Sequence, residues 1–399
     1  MALVILGLFR MLVLLLLMCG ALVVGTQGDN RLATCQASTH FECGRQIGEQ
    51  QARRIASTLR TKYAATLVEF VSTSRGSELY QVYLGLHADV YPHLLEEIKG
   101  TAAGAKVPFR SLFALNIEFE LISKSNLSTG GFRKGCSDFH LSQPTINAWG
   151  HNEDGDAADR ENGFYFVSST VQNRSYFAFA YTGRLPGWAW GFNNFIVQTV
   201  NGLYVPPNTK PGLGINFVAR DLLSSSSLED AIDRASSNEM DGGSHFNLGS
   251  LRGGRERVSV ETSWQGTTVS PIEPPWYAHF NAYLHTDKPP LGDYISSIYR
   301  LARVSTLATR TGPHAVTSNM YSILDVLGDN ATFPYCVFRC NTNEDPYVTF
   351  LTLLVDLSDN ASLRIYTSQT SSAAKDKTWV EFNLQTVNIS QIMLPPFPY

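Results

Sequence analysis

Apolar positions recur at helical spacing twice in the first third of the chain: over 44–70 (Ile47, Ile55, Leu59, Tyr63, Leu67) and over 78–105 (Leu79, Val82, Leu86, Val90, Leu94, Ile98). Residues three or four apart share one helix face, so each stretch predicts an amphipathic helix, and 111–121 predicts a third. A stretch rich in Ser, Gly and charge over 125–134 reads as an exposed loop. Beyond it the period changes. From Cys136 to about residue 205, the runs 164–171, 176–181 and 188–200 alternate or stay apolar with aromatic and β-branched residues, which predicts strands. Helices are then expected at 215–223 and 228–236, short strands at 245–248 and 258–262, helices at 294–309 and 315–327, and strands at 347–357, 362–367 and 380–386. Blocks of strands set between blocks of helices, without regular alternation, predict an α+β layered domain rather than a doubly wound one.

Composition narrows the class. The 399 residues are 44% hydrophobic and 17% charged, which excludes a disordered or collagen-like chain. A net charge of −4 lacks the basic surplus of a nucleic-acid binder. Charge divides unevenly, however: 26–135 holds 13 Lys+Arg against 10 Asp+Glu, and 136–399 holds 17 against 25. Two segments of opposite net charge attract one another.

The amino terminus sets the expected compartment. Arg10 precedes an uncharged apolar run of 14 residues over 11–24, with small residues at Gly20, Ala21 and Gly25. That is a signal-peptide core, short of the roughly 20 residues a membrane-spanning helix needs, so 1–25 is expected to be removed. The mature protein is expected in the secretory route, secreted or endolysosomal, without a stable membrane anchor. Glycosylation sequons at Asn126, Asn173, Asn330, Asn360 and Asn388 are compatible with that route. Cys19 leaves with the signal, and five cysteines remain: Cys35, Cys43, Cys136, Cys336 and Cys340. An odd number leaves one thiol unpaired within the chain, and Cys136 stands apart from the others. The pairing of the other four stays open.

Gly135-Cys136 falls where the exposed loop gives way to strands. A Cys inside an intact chain needs a separate base, because its ordinary pKa of about 8.5 leaves little thiolate at neutral pH. If the Gly135-Cys136 bond is cut, the new α-amino group, with a pKa of about 8, can take the thiol proton itself. The cut can be self-inflicted, the thiol attacking the preceding carbonyl and water opening the resulting thioester. Glycine at 135 leaves room around that carbonyl.

Several motifs resemble one family in order along the chain. They are Cys43-Gly44-Arg45-Gln46-Ile47-Gly48; Leu94-Leu95-Glu96-Glu97-Ile98-Lys99-Gly100 with Ala103-Gly104-Ala105; Asn116-Ile117-Glu118-Phe119-Glu120; and Gly135-Cys136. Together they are similar to the penicillin acyltransferase family, which includes β-alanyl-amine hydrolases and belongs to the N-terminal-nucleophile hydrolases. The resemblance implies a four-layer αββα sandwich made as a zymogen. It implies a helical chain over 26–135, a catalytic chain over 136–399, and self-cleavage between Gly135 and Cys136.

Three further positions carry over. Gly150-His151-Asn152-Glu153-Asp154 resembles the family's Gly-x-Asn-x-Asp stretch, implying that Asp154 holds the new α-amino group, although its acidic run reads by composition as a solvated loop. His279-Phe280-Asn281 implies Asn281 as an oxyanion donor, and Phe333-Pro334-Tyr335-Cys336-Val337-Phe338-Arg339 implies Arg339 as an electrostatic anchor. The catalytic set implied is therefore Cys136, Asp154, Asn281 and Arg339, with no cofactor and no metal. One departure stands out, Pro186-Gly187-Trp188-Ala189-Trp190-Gly191-Phe192-Asn193 in place of a glycine-rich strand pair. Trp188 and Trp190, at period two, are expected on one face and with Phe192 are candidate walls of an acyl pocket, core packing being the competing reading.

The expected activity is hydrolysis of a small N-acyl or β-alanyl-type amide through a thioester on Cys136. The acyl donor of the family's penicillin enzyme is a coenzyme A thioester inside the cell, so a secreted member is expected to pass its acyl group from Cys136 to water. Acyl transfer and an inactive secreted binding protein are the alternatives. A papain-like site is disfavoured because the surroundings of Cys136 lack the Cys-Gly-x-Cys pattern, and a zinc site from His279, His285, Cys336 and Cys340 because its spacing is unconventional.

Overall fold

The computed structural model describes residues 31–125, 127, 135–203, 210–236, 240–254, 256–286, 295–310, 316 and 319–398. The expected signal peptide, Asn126 and most of the loop before Gly135 lie outside them.

The amino-terminal segment opens with strand β1 (Leu32–Ala37) and continues through helices α1 (His40–Leu59), α2 (Lys62–Phe70), α3 (Ser74–Val90), α4 (Pro92–Ala105), α5 (Phe109–Asn116) and α6 (Glu118–Lys124). Each long helix expected from periodicity is thus two. Thr61 caps α2 through its hydroxyl, Thr73 caps α3 in the same way, and Pro92 forces Tyr91 out of helical geometry. Periodicity survives such breaks because both halves bury the same side. Helices α1 and α4 cross at four glycines taken from two of the quoted motifs. A methyl on Gly44 would overlap the Glu97 carbonyl, and one on Gly100 the Phe41 carbonyl; Gly48 and Gly104 meet Thr101 and Arg45 in the same way. Only hydrogen lets these backbones approach so closely.

The remaining elements are β2 (Gly135–Gln143), β3 (Ile146–Asp156), α7 (Asp159–Asn162), β4 (Phe164–Val171), β5 (Arg174–Tyr181), β6 (Trp190–Asn193), β7 (Ile196–Leu203), α8 (Ile215–Leu222) and α9 (Leu228–Ser236), followed by β8 (Gly243–Ser250), β9 (Arg257–Ser263), β10 (Gly266–Pro271), β11 (Trp276–His279), α10 (Ile295–Ala308), α11 (Ser322–Leu327), β12 (Tyr347–Asp356), β13 (Ser362–Tyr366) and β14 (Val380–Asn383). Among the described residues the strands form two sheets, ordered β1-β4-β5-β6-β7-β8-β9-β10 and β11-β2-β3-β12-β13-β14. The run expected as one strand over 188–200 is interrupted: Asn193 turns the chain by accepting the Phe195 and Ile196 amides, so β6 and β7 form a hairpin.

The sheets pack face to face through Trp149, Phe164, Phe177, Phe350 and Leu353. On one outer face α1 covers Ala33, Tyr165 and Val167; on the other, α10 and α11 cover Phe139, Leu141, Ala148 and Leu354. This is an α+β, four-layer αββα sandwich. The amino-terminal segment is not purely helical, since β1 runs parallel to β4 over its whole length. Across the junction at residue 135 the buried ion pairs often oppose the net charges: Glu97 meets Arg220 and Glu118 meets Arg184, whereas Lys124 meets Asp241 at 2.6 Å.

Cys35 pairs with Cys43 and Cys336 with Cys340, and among the described residues Cys136 is the free cysteine. Asn173, Asn330, Asn360 and Asn388 are exposed. Among the described residues no helix is long and apolar enough to cross a membrane.

Candidate active site

Strands β2 and β3 are joined by the two-residue turn Pro144-Thr145, and that turn fixes their register. Gly135 lies opposite Asp154, Cys136 opposite Glu153, Ser137 opposite Asn152 and Asp138 opposite His151. Cross-strand partners share a face, and successive pairs alternate. Cys136, Glu153, Asp138 and His151 therefore face the layer between the sheets, while Gly135, Asp154, Ser137 and Asn152 face α10 and α11. Strand β11 pairs with the other edge of β2, His279 opposite Asp138, so the chain just beyond it brings Asn281 to Cys136.

The backbone of Cys136 is gripped on both sides. Its amide donates to Asn281 Oδ1 at 3.1 Å, and its carbonyl accepts from Arg300 Nη1 at 2.6 Å. Arg300 also donates to Ser137 Oγ at 2.9 Å and to Asn281 Oδ1 at 2.9 Å. Asn281 Nδ2 donates to the Gly202 carbonyl at 3.0 Å. Burial, reinforced by Arg339, pulls Arg300 down to about 9, which leaves it cationic at neutral pH.

Arg339 sits beneath Gly135, its Nη2 2.5 Å from where a Cβ on that residue would lie. Its Nε donates to Asp154 Oδ2 at 3.3 Å and its Nη1 to Asp345. A bulge in β12, one extra residue between Thr349 and Leu351, turns Thr349 Oγ1 onto Asp154 Oδ1 at 2.7 Å. Burial pushes the Asp154 carboxyl up to about 7 against the pull of Arg339 and Arg300.

The thiol faces a second set of groups. Cys136 Sγ donates to Glu153 Oε2 at 3.6 Å; Oε2 also meets His151 Nε2 at 3.1 Å, and Tyr181 donates to Oε1. His151 Nδ1 meets Asp138 Oδ2 at 2.9 Å, and Asp138 is tied to the facing sheet by Thr199 and Asn201, each at 2.7 Å. All of Cys136, Glu153, His151 and Asp138 are buried. Burial would lower His151, but Asp138 and Glu153 raise it to about 10. Burial and the nearby carboxylates of Glu153, Asp154 and Asp138 push the thiol well up, opposed by Arg300. At rest the sulfur is protonated.

Cys136, Asp154, Asn281 and Arg339 thus converge on the Gly135-Cys136 bond from positions spread over 204 residues of sequence. The acidic run that composition reads as a solvated loop divides. Glu153 and Asp154 are buried in β3, and Asp156 is exposed. Trp188, Trp190 and Phe192 are buried in the central core, and Ala189 at φ 126° breaks the strand between the two indoles. Trp190 and Phe192 pack on Phe177, whereas Trp188 packs on Tyr181, two contacts from the thiol. Cys336 and Cys340 are joined as a disulfide and His279 is engaged by Glu261 at 3.0 Å, so the unconventional zinc set does not assemble. Cys136, His151 and Glu153 lie within 4.8 Å of one another, but each donor is spent on the next member of a hydrogen-bonded chain.

Two groups escaped the sequence reading. Arg300 falls on the buried stripe Ser297, Arg300, Val304 and Leu307 of a helix whose periodicity is legible, and an arginine in register with the apolar positions Val304 and Leu307 is the signal of a buried cation. Glu153 follows from the strand alternation once the Pro144-Thr145 turn sets the pairing.

The profile of the family described as acyl-coenzyme A:6-aminopenicillanic acid acyl-transferase matches residues 142–371, more than half of the chain. The match spans Asp154, Asn281 and Arg339 and begins six residues after Cys136. The chain is 26% identical over 212 residues to the beta-alanyl-dopamine/carcinine hydrolase of Drosophila melanogaster, covering 48% of this chain and 54% of that relative, about half its length. Among solved structures, a C2A mutant of conjugated bile acid hydrolase from Clostridium perfringens is 11% identical with a TM-score of 0.40, over 66% of this chain and 97% of that one. The ancestral beta-subunit Anbu from Yersinia bercovieri is 9% identical with a TM-score of 0.25, over 59% and 84%.

Proposed function

This chain belongs to the acyl-coenzyme A:6-aminopenicillanic acid acyl-transferase family, and from that premise we propose that it is a self-activating amide hydrolase whose nucleophile is the thiol of Cys136. The observation that carries the reading is the convergence of Asn281, Arg300, Asp154 and Arg339 on the backbone of residues 135 and 136, not on the thiol alone. A site that only needed a sulfur would have no reason to hold the peptide bond before it. The precursor breaks that bond and Cys136 becomes an amino terminus.

In turnover the α-amino group of Cys136 takes the thiol proton, and Asp154, beside Gly135 in this structure, holds the resulting ammonium. The thiolate attacks the substrate carbonyl. The oxyanion accepts from the second Nδ2–H of Asn281, the first being committed to Gly202. The amine departs with the proton, and water releases the acid from the thioester. The substrate class is a small N-acyl or β-alanyl amide, in keeping with the name of the Drosophila relative. Secretion, cleavage of the signal and glycosylation at the exposed sequons belong to the same proposal.

Intact mass and end-group sequencing of the wild type beside Cys136→Ala test the first step. Two fragments meeting at 135 and 136 in the wild type alone are expected; a wild type that stays whole refutes it. Release of β-alanine from carcinine, against acyl transfer from an acyl-CoA to 6-aminopenicillanic acid, separates hydrolysis from the alternative.

A further inference from the structure

Self-cleavage raises a difficulty that turnover does not. Before the cut, the nitrogen of Cys136 is an amide: it donates to Asn281 and has no basic lone pair. The base that serves the mature enzyme is absent from the precursor. Asp154 cannot replace it, because it projects from the other face of β3 with its oxygens engaged by Thr349 and Arg339. Asp138 is bound to Thr199, Asn201 and His151, and His140 is stacked on Trp149 and bonded to Arg257.

We propose that Glu153 is the proton acceptor for the Cys136 thiol during self-cleavage, oriented by His151, Asp138 and Tyr181; the inference rests on the self-activating reading above. Glu153 Oε2 faces Sγ at 3.6 Å in the uncut chain, the register of the β2–β3 hairpin having set the two residues directly opposite. Both carboxylate oxygens are held, Oε1 by Tyr181 and Oε2 by His151, and His151 is anchored in turn by Asp138. The line Cys136–Glu153–His151–Asp138 crosses the buried layer between the sheets, each member held by the next.

The step balances. The Sγ–H proton passes to Glu153 as sulfur bonds to the Gly135 carbonyl carbon. The adduct collapses by breaking the bond between that carbon and the Cys136 nitrogen, which takes the proton from Glu153 and becomes the α-amine. Water then hydrolyses the thioester to the Gly135 carboxylate and the free thiol, the remaining proton of that water passing to the new α-amine. The raised proton affinity of the sulfur fits a thiol that loses its proton only as it attacks.

The test follows the rate of fragment appearance by intact mass for the full chain of wild type, Glu153→Gln, Glu153→Asp and His151→Asn, with circular dichroism and melting temperature for each. General-base loss typically costs about 10²–10⁴-fold. We expect the Gln variant to slow by about 100-fold or more, the Asp variant to fall between it and the wild type, and His151→Asn to slow by about tenfold. A Gln variant that cleaves at the wild-type rate overturns this inference alone. Where the Gln variant does not fold, wild-type rates in His151→Asn do the same. Equal losses in Gln and Asp variants with a lowered melting temperature mark a packing role and also overturn it. A wild type that never cleaves removes the proposed function and this inference together.

Discussion

Arg300 reaches from helix α10 to the Cys136 carbonyl oxygen at 2.6 Å, joining residues 164 positions apart in the chain. Beyond its own helix, where it donates to Ser296 and Ser297, the guanidinium serves that carbonyl, Ser137 Oγ and Asn281 Oδ1. Lysine, a compact point charge, cannot span them. Arg300→Lys is therefore expected to lower kcat/KM for the proposed amide hydrolysis by about 10- to 100-fold and to destabilise the fold by about 1.5–3 kcal/mol, the range for hydrogen bonds to charged groups. Steady-state kinetics and urea unfolding check this. Unchanged kinetics would exclude Arg300 from positioning the nucleophile.

Gly135→Ala tests how tightly Arg339 is packed beneath the bond before Cys136. The new methyl would lie 2.5 Å from Nη2, so the guanidinium must withdraw and loosen its hold on Asp154. A misplacement of about 1 Å can cost about 100-fold in rate. Self-cleavage slowed by about 10- to 100-fold, with a native melting temperature, is the expected outcome by time-resolved mass spectrometry.

Asp154 supplies a pH dependence with a definite sign. Burial raises its carboxyl from 3.8 to about 7, so the folded chain holds this proton more tightly than the unfolded one. The stability it contributes is complete below about pH 4 and is lost as the pH rises through about 7, by at most about 1.4 kcal/mol per pH unit. In a Cys136→Ala background, urea midpoints should fall with pH over that window more steeply with Asp154 present than with Asp154→Asn. Parallel curves would contradict the assignment.

Glu97 gives the opposite sign. It is buried between Arg220, which donates to both its oxygens at 2.9 and 3.1 Å, and His40 at 2.9 Å. Burial opposes ionisation, but Arg220 and His40 bring its carboxyl down to about 2. That stability is present above about pH 4.5 and lost as the pH falls through about 2. Glu97→Gln leaves Arg220 buried without its counter-charge, at an expected cost of about 3–5 kcal/mol at pH 7, whereas Glu97→Met with Arg220→Met together should cost much less.

The elements that sequence revealed are those whose pattern is local. Helices α8 to α10 and strands β4, β5, β12 and β13 lie close to where periodicity puts them, since each buries one face along its own length. Strand β1 was invisible because a short strand closing the edge of a sheet gets its meaning from β4, 134 positions away in register. The same distinction holds in the site. Cys136 became a candidate by chemistry and spacing, whereas Asp154, Asn281 and Arg339 became candidates only through family likeness, and the fold brings the four together. Glu153 and Arg300 needed the hairpin register and the helix stripe to be read as three-dimensional facts.

The parallel ladder between Leu32–Ala37 and Phe166–Val171 spans the proposed cut, as do the buried pairs of Glu97 with Arg220 and Lys124 with Asp241. A nick between 135 and 136 would therefore change covalent connectivity without releasing either piece. The activated enzyme would elute from gel filtration as one particle, separate into two bands only on denaturation, and keep its original partner rather than exchange halves with another molecule.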